Sequence, residues 1–165
     1  HQSIEVHCKT AFAQDDENEF DHVFYSGPID AYYGYSEGRL RYRTVTFDPH
    51  THEGDFQGNA VINYCDIGTE HTRIAEHKHF APWEHHHKSI CFTEFSKETE
   101  VGDTPFYPLR LAEDRELLSR YQALAVLDKK INFVGRLGTY RYLDMHVCIR
   151  EALDIAAAFV NKSAS

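Results

Sequence analysis

The sequence predicts an α+β protein built on an antiparallel sheet of five or six strands, running from about Asp30 to Leu111. Three observations carry this. Between Leu40 and Phe95, short segments alternate apolar and polar residues, separated by turn chemistry at Asp48-Pro49, Gly54, Gly68 and Pro82. From Ala112 onward the apolar period lengthens to that of a helix. Finally, Ile131 to Val134 reads as a buried strand that enters a glycine-flanked turn, Gly135-Arg136-Leu137-Gly138, ahead of a second helix.

In chain order, Ile4 to Phe12 alternates weakly and predicts a strand, and Gln14 to Glu19 an acidic solvated turn. His22 to Tyr25 predicts a short apolar strand closed by Ser26-Gly27-Pro28. Leu40 to Phe47 predicts a half-buried strand broken by Asp48-Pro49. Ala60 to Cys65, Thr72 to Phe80 and Ser89 to Phe95 repeat the pattern as an antiparallel meander. Ala112 to Leu127 is a helix by period, with Leu117, Leu118, Tyr121, Leu124 and Ala125 on one face. Glu113, Asp114 and Glu116 in its first turn, and Lys129 and Lys130 past its end, match the helix dipole. The last helix runs from about Asp144 to Val160, with Met145, Ile149, Leu153, Ala156 and Val160 expected to face inward.

With 165 residues the chain can make one domain or pieces of two. A net charge of −9 argues against nucleic-acid binding, which needs a basic surface, yet permits an anionic ligand at a few arginines. No segment approaches the ~20 apolar residues of a membrane span. Cys8, Cys65, Cys91 and Cys148 form no C-x-x-C pair, which predicts reduced thiols and a cytoplasmic setting. The chain begins at His1 rather than Met, which predicts processing or a start within a longer protein. Ten tyrosines and eleven phenylalanines suit cross-strand pairs in a sheet, with a few tyrosines left to line a polar cleft.

Among chemical groupings, histidine is the loudest, at twelve residues. Period two places Arg73, Ala75, His77 and His79 on one strand face and Ile74, Glu76 and Lys78 on the other. His77 and His79 with His85-His86-His87 can be read as zinc ligands. They lack a Cys or carboxylate partner at metal spacing, and three adjacent histidines cannot all point at one ion, so no metal site is assigned. Arg73, flanked by apolar residues, needs a partner if buried, either an internal carboxylate or a ligand phosphate. Tyr107 sits in a rigid turn between Phe106 and Pro108. Tyr140 and Tyr142, two apart, would point the same way on an extended backbone. Asp144 suits a helix N-cap. The strand–glycine turn–helix run of residues 134–145 gathers free N–H groups and a positive dipole end, which suits an anion. No hydrolase nucleophile–base pair, G-x-G-x-x-G or P-loop occurs.

Taken in order, these residues resemble the C-terminal part of bacterial UDP-galactopyranose mutase. The matching runs are Phe24-Tyr25-Ser26-Gly27-Pro28-Ile29-Asp30-Ala31-Tyr32-Tyr33-Gly34-Tyr35, Asn59-Ala60-Val61-Ile62-Asn63-Tyr64-Cys65, Thr72-Arg73-Ile74-Ala75-Glu76-His77-Lys78-His79-Phe80, Pro105-Phe106-Tyr107-Pro108, and Val134 to Met145. The family's N-terminal half, with its glycine-rich dinucleotide fingerprint, a helical domain and a second substrate arginine, has no counterpart here.

The resemblance implies a reduced-FAD-dependent interconversion of UDP-galactopyranose and UDP-galactofuranose, in which flavin N5 attacks the anomeric carbon and a flavin–sugar adduct forms. It implies that Arg73, Tyr107 and Tyr142 hold the diphosphate, that Asn63 lies on the substrate side, and that Asp144 lies beside flavin and sugar. Gly135, Arg136, Gly138, Asp144 and Met145 would contact FAD. It also implies three segments: 1–29 and 112–165 as return segments of an FAD-binding α/β domain, and 30–111 as the substrate sheet. Ile4–Val6, Val23–Tyr25 and Ile131–Val134 would join the FAD-domain sheet. Without the first half, that domain should show an exposed sheet edge and an uncovered apolar face, relieved by altered packing or by an oligomer that buries the face. The isolated chain is expected to be inactive and to retain little FAD. Two other readings are a non-catalytic UDP-sugar-binding module and a histidine-rich metal-binding domain.

Overall fold

The structure is a computed structural model that describes residues 3–163. The fold is mixed α and β around a five-stranded antiparallel sheet. The chain forms two compact units, one made of the stretches up to Leu40 and from Arg110 onward, the other of Arg41–Leu109.

The Arg41–Leu109 unit is the sheet. Its strands are β2 (Tyr42–Glu53), β3 (Val61–Asn63), β4 (Arg73–Glu76), β5 (Lys88–Glu98) and β6 (Tyr107–Pro108), in the spatial order β3-β4-β5-β2-β6. The expected meander holds for β3, β4 and β5, whose neighbours are antiparallel. β2 is longer than the sequence pattern suggests and runs straight through Asp48-Pro49, with Pro49 opposite Phe92. Proline is tolerated there because β6 covers β2 only at Tyr42 and Arg43, so the missing N–H faces an edge without a partner strand. The alternation of Thr72 to Phe80 holds only as far as Glu76; His77–Phe80 winds into a 3₁₀ turn instead. Within β4 the period-two reading stands, with Ile74 and Glu76 buried and Arg73 and Ala75 half-buried.

The other unit holds β1 (Val23–Tyr25), a one-turn helix α1 (Ile29–Tyr32), α2 (Asp114–Leu127), β7 (Ile131–Phe133), a second single turn α3 (Gly135–Gly138) and α4 (Met145–Ser163). β1 and β7 pair in parallel, Val23 with Ile131 and Tyr25 with Phe133. Ile4 to Phe12 forms no strand, and Gln14–Glu19 is a 3₁₀ helix rather than a plain turn. Val23, Tyr32 and Ile131 form the core here, with Phe12, Tyr25, Tyr33 and Phe133 against it. The aromatics expected as cross-strand pairs mostly pack between elements instead. Tyr32 meets Phe133 edge-on with ring centres 5.2 Å apart, and Tyr33 stacks on Tyr121 at 6.0 Å. Burial, then a 2.5 Å bond to Glu17 Oε2, pushes the Tyr32 hydroxyl pKa up; burial moves Tyr33 to about 12.

α2 presents the expected face: Tyr121 is fully buried and Leu117, Leu118, Leu124 and Ala125 are half-buried. The Tyr121 hydroxyl donates to Gly38 O at 2.5 Å and accepts from Glu37 N–H at 3.1 Å, tying α2 to the stretch before the sheet. α4 does not present the expected face. Val147, Cys148, Glu151 and Ile155 are its half-covered residues, while Met145, Ile149, Leu153, Ala156 and Val160 are exposed. The helix packs through Phe159, whose ring meets His22 and Phe24 at 4.7 and 5.2 Å. The uncovered apolar face anticipated from the sequence is therefore present, on the flank of α4 expected to be buried.

Candidate functional site

In the sheet unit, β4 positions Arg73 at the end where it pairs with Asn63 of β3 and Glu94 of β5. Arg73 Nε donates to Asn63 Oδ1 at 2.9 Å, and Nη1 stands 3.7 Å from Glu94 Oε2. Glu94 is itself held by the Thr72 hydroxyl at 2.9 Å. The guanidinium side chain is 43% exposed, so it is aimed by two neighbours without being buried by them. Glu94 answers the question left open by the sequence, because it gives Arg73 an internal carboxylate partner. Tyr107 lies on β6 opposite Arg43, half-buried. Arg43 is anchored to Ser96, Nε to Oγ at 3.0 Å and Nη2 to the carbonyl at 2.8 Å.

The sheet unit also contains a buried carboxylate that no sequence motif marks. Glu76 is fully buried and accepts the N–H groups of Phe56 (2.9 Å), Gln57 (2.8 Å) and Gly58 (3.0 Å) together with the Ser89 hydroxyl. Burial raises a carboxyl pKa, but these four donors outweigh it and hold Glu76 down to about 2. The available signal was its place beside Ile74 on the apolar face of β4, since a carboxylate there needs donors.

The histidines disperse. His77 packs against Phe80 and Phe92, and His86 pairs with Glu84 at 2.8 Å. His79 Nε2 lies 3.5 Å from Glu76 and 3.6 Å from Asp55. Asp55, Glu76 and His79 bring one ligand atom each within 4.8 Å of one another, a metal-sized spacing. Lys78 Nζ pairs with Asp55 and four donors satisfy the oxygens of Glu76, while His79 Nε2 is buried without a hydrogen-bond partner among the described residues.

In the other unit the glycine turn behaves differently from its sequence reading. Gly135 has φ +71° and starts α3. Gly138 is buried, and an added Cβ would lie 2.8 Å from Tyr25 O, so this glycine is required by backbone packing on β1. Tyr140 and Tyr142 do not point the same way. Tyr140 adopts φ +50°, is buried, and donates to Asp114 Oδ2 at 3.1 Å, whereas Tyr142 is 60% exposed. The left-handed residue between turn and helix breaks the extended geometry that would have aligned them. Arg136 donates to Leu143 O from Nε (3.1 Å) and Nη2 (2.6 Å) and stands 5.2 Å from the Tyr142 ring. Asp144 caps α4 through its carbonyl, which accepts from Val147 and Cys148 N–H at 3.1 and 3.0 Å. A cleft of about 460 Å³ beside the turn is lined by Tyr140, Arg141, Asp114 and Phe133 among others. No helix among the described residues is long and apolar enough to cross a membrane, and all four cysteines are free thiols.

An implied flavin can be tested against these residues. Tyr142, Asp144 and Met145 are exposed at the start of the 19-residue α4. A helix start of this kind can receive an anionic group, although the Asp144 carboxylate there adds a negative charge.

Residues 1–142 match the family model of UDP-galactopyranose mutase. The chain is 48% identical over its full length to a probable UDP-galactopyranose mutase of Klebsiella pneumoniae and spans 43% of that protein. It is 42% identical over 146 residues, 88% of the chain, to a dTDP-fucopyranose mutase of Escherichia coli, spanning 39% of it. A UDP-galactopyranose mutase of Mycoplasma pneumoniae is 31% identical over 137 residues, 79% of the chain and 34% of that protein. The chain thus spans less than half the length of these relatives, and by its match along residues 1–142 it belongs to the UDP-galactopyranose mutase family.

Proposed function

We propose that this chain contributes the nucleotide-sugar-holding part of a UDP-galactopyranose mutase. The reaction is the interconversion of UDP-galactopyranose and UDP-galactofuranose with reduced FAD, in the cytoplasm, and the chain by itself is inactive. The observation that carries the reading is Arg73, half-exposed yet aimed by Asn63 at 2.9 Å and Glu94 at 3.7 Å. A planar guanidinium held by its Nε suits a diphosphate, which it can grip with its outer nitrogens.

Roles fall unit by unit. In the sheet unit Arg73 binds the diphosphate, Asn63 fixes Arg73, and Tyr107 adds a hydroxyl. In the other unit Tyr142 and Asp144 are assigned to the substrate side by the family resemblance alone. Gly135, Arg136, Gly138, Asp144 and Met145 belong to the cofactor side. Reduced FAD, when bound, supplies the electron pair that the ring rearrangement needs. The residues of this chain hold the departing diphosphate close while the sugar changes ring size, which is an entropic contribution.

A relative named for dTDP-fucopyranose at 42% identity keeps the nucleotide and sugar open between two sugar-nucleotide classes. The diphosphate chemistry is common to both. Calorimetry of the purified chain with UDP, UDP-galactose and a dTDP-sugar tests the reading. Binding of a nucleotide diphosphate that falls by about tenfold or more in Arg73→Ala is expected. Equal binding by wild type and variant, or none by either, would remove Arg73 from the site. Purified without added flavin, the chain is expected to be colourless; stoichiometric yellow flavin would overturn the claim that it retains little cofactor.

A further inference from the structure

We infer that the cleft between α2 and the turn after α3 is a binding site for a small phosphomonoester, a phosphate joined to a compact apolar body. The inference needs neither the family membership nor the proposed function.

The cleft lies within one unit and has two walls. One is a stripe along α2, where Arg115, Leu118, Gln122 and Ala125 recur at helical spacing and so share a face. The other is the end of α3 with Thr139, Tyr140 and Arg141 after it. Asp114 joins the walls, because its Oδ2 accepts the Leu111 N–H and the Tyr140 hydroxyl, each at 3.1 Å. Leu118, Ala125 and Phe133 are half-buried and give the interior an apolar lining. The open space of about 460 Å³ falls within the range of roughly 300–1,000 Å³ found for small-molecule sites.

Charge decides what this space takes. The chain carries 26 acidic side chains against 17 lysines and arginines, yet the cleft is lined by Arg110, Arg115 and Arg141 and by a single acid, Asp114. That carboxylate is buried and committed to the donors that join the walls. Arg141 is held by Glu151 and the Thr139 hydroxyl. The exposed guanidinium groups of Arg110 and Arg115 have no hydrogen-bond or ion-pair partner among the described residues. Two unengaged guanidinium forks beside an apolar interior match a phosphate on an apolar body.

Backbone strain marks the same place. Lys9, Tyr35, Arg110 and Tyr140 are the non-glycine residues with positive φ among those described, and two of these four line the cleft. Arg110 has φ +56° and Tyr140 φ +50°. Left-handed backbone is unfavourable for residues with a side chain and persists where the surroundings hold it, as they do at binding sites. Of the residues assigned to nucleotide sugar or flavin, only Gly138 lines this cleft, and its tight contact is with the Tyr25 carbonyl. Arg73 belongs to the other unit.

Titration calorimetry of the full chain with phenyl phosphate tests the assignment, with inorganic phosphate and phenol as partial probes. Phenyl phosphate is expected to bind with a Kd below about 1 mM, roughly tenfold or more tighter than either partial probe. Arg110→Ala with Arg115→Ala should weaken it about tenfold or more while the thermal midpoint holds, since both side chains are exposed. Gln122→Glu is a second variant, which adds a negative charge to the α2 wall without touching an arginine and should also weaken binding. Arg73→Ala should leave it unchanged, so the loss of Arg73 from the nucleotide-sugar site would not affect this one. Absence of saturable binding up to about 10 mM would overturn the inference. So would equal affinity in the wild type and both cleft variants, or phenol binding as tightly as phenyl phosphate. Displacement of phenyl phosphate by FAD would hand the cleft to the cofactor and overturn it as well.

Discussion

Glu76→Ala should lower the unfolding free energy of the sheet unit by about 3–5 kcal/mol, the largest single-site loss expected in this chain. The carboxylate is the common acceptor for Phe56, Gln57 and Gly58 N–H and for the Ser89 hydroxyl. Removing it strands four donors around a void, and each buried unpaired donor costs about 1–3 kcal/mol before the loop relaxes. Glu76→Gln keeps one oxygen and sets an amide N–H₂ against backbone donors, so it should lose less but still a substantial part. Urea unfolding followed by circular dichroism measures both, and a loss under 1 kcal/mol for alanine would show that the loop does not depend on the carboxylate.

The same group predicts an acid limb. Its folded pKa of about 2 lies below its ordinary 4.5, because the four donors overcome the effect of burial. A depressed carboxylate contributes stability that is complete above the unfolded value and is lost as pH falls through the folded one. Stability should therefore fall between about pH 4.5 and 2, and that part of the slope should vanish in Glu76→Gln. An unchanged slope in the variant would assign the acid limb to other groups.

Gly138→Ala is the second large effect, at about 3 kcal/mol. A Cβ there would stand 2.8 Å from Tyr25 O and 3.5 Å from Gly27 O and from the Phe133 carbonyl carbon. All three are backbone atoms, so no side chain can swing aside. Gly68→Ala is the control, because nothing lies within 4 Å of its added Cβ. It should stay within about 0.5 kcal/mol of wild type. Thermal melts of the two variants decide the matter, since comparable midpoints would show that the contact with β1 yields easily.

The sequence revealed elements whose periodicity was backed by contacts within the chain. α2 is legible because its apolar period, acidic first turn and following lysines all agree, and its expected face is the covered one. β4 is legible through Glu76 for the same reason. The errors share a cause, which is that periodicity reports a face and not its neighbour. The stripe of Met145, Ile149, Leu153 and Val160 is an apolar face that the described residues leave exposed. Pro49 looked like a stop because its exemption depends on β6 pairing with only two residues of β2. Tyr140 misled because one positive φ turns it away from Tyr142. In the candidate site Arg73 and Asn63 were visible as residue types, whereas Glu94, which stands beside Arg73, belongs to a strand distant in sequence.

The pairing of Arg41 with Leu109 has a consequence for the order of folding. Leu109 N–H donates to Arg41 O at 3.0 Å, where the chain enters and leaves the sheet. The unit that contains β1 and β7 is interrupted by the whole of that sheet. If the sheet were unformed, pairing Val23 with Ile131 would close a loop through every residue between them. Once β2 and β6 have paired, the sheet stands in the path as a single short bridge. Loop-closure entropy then falls by roughly 0.6 kcal/mol for each halving of effective length. The contiguous sheet is thus expected to form first and the split unit afterwards. Substitutions in β2 or β6 should slow refolding of both units, while those in β7 should chiefly speed unfolding of its own.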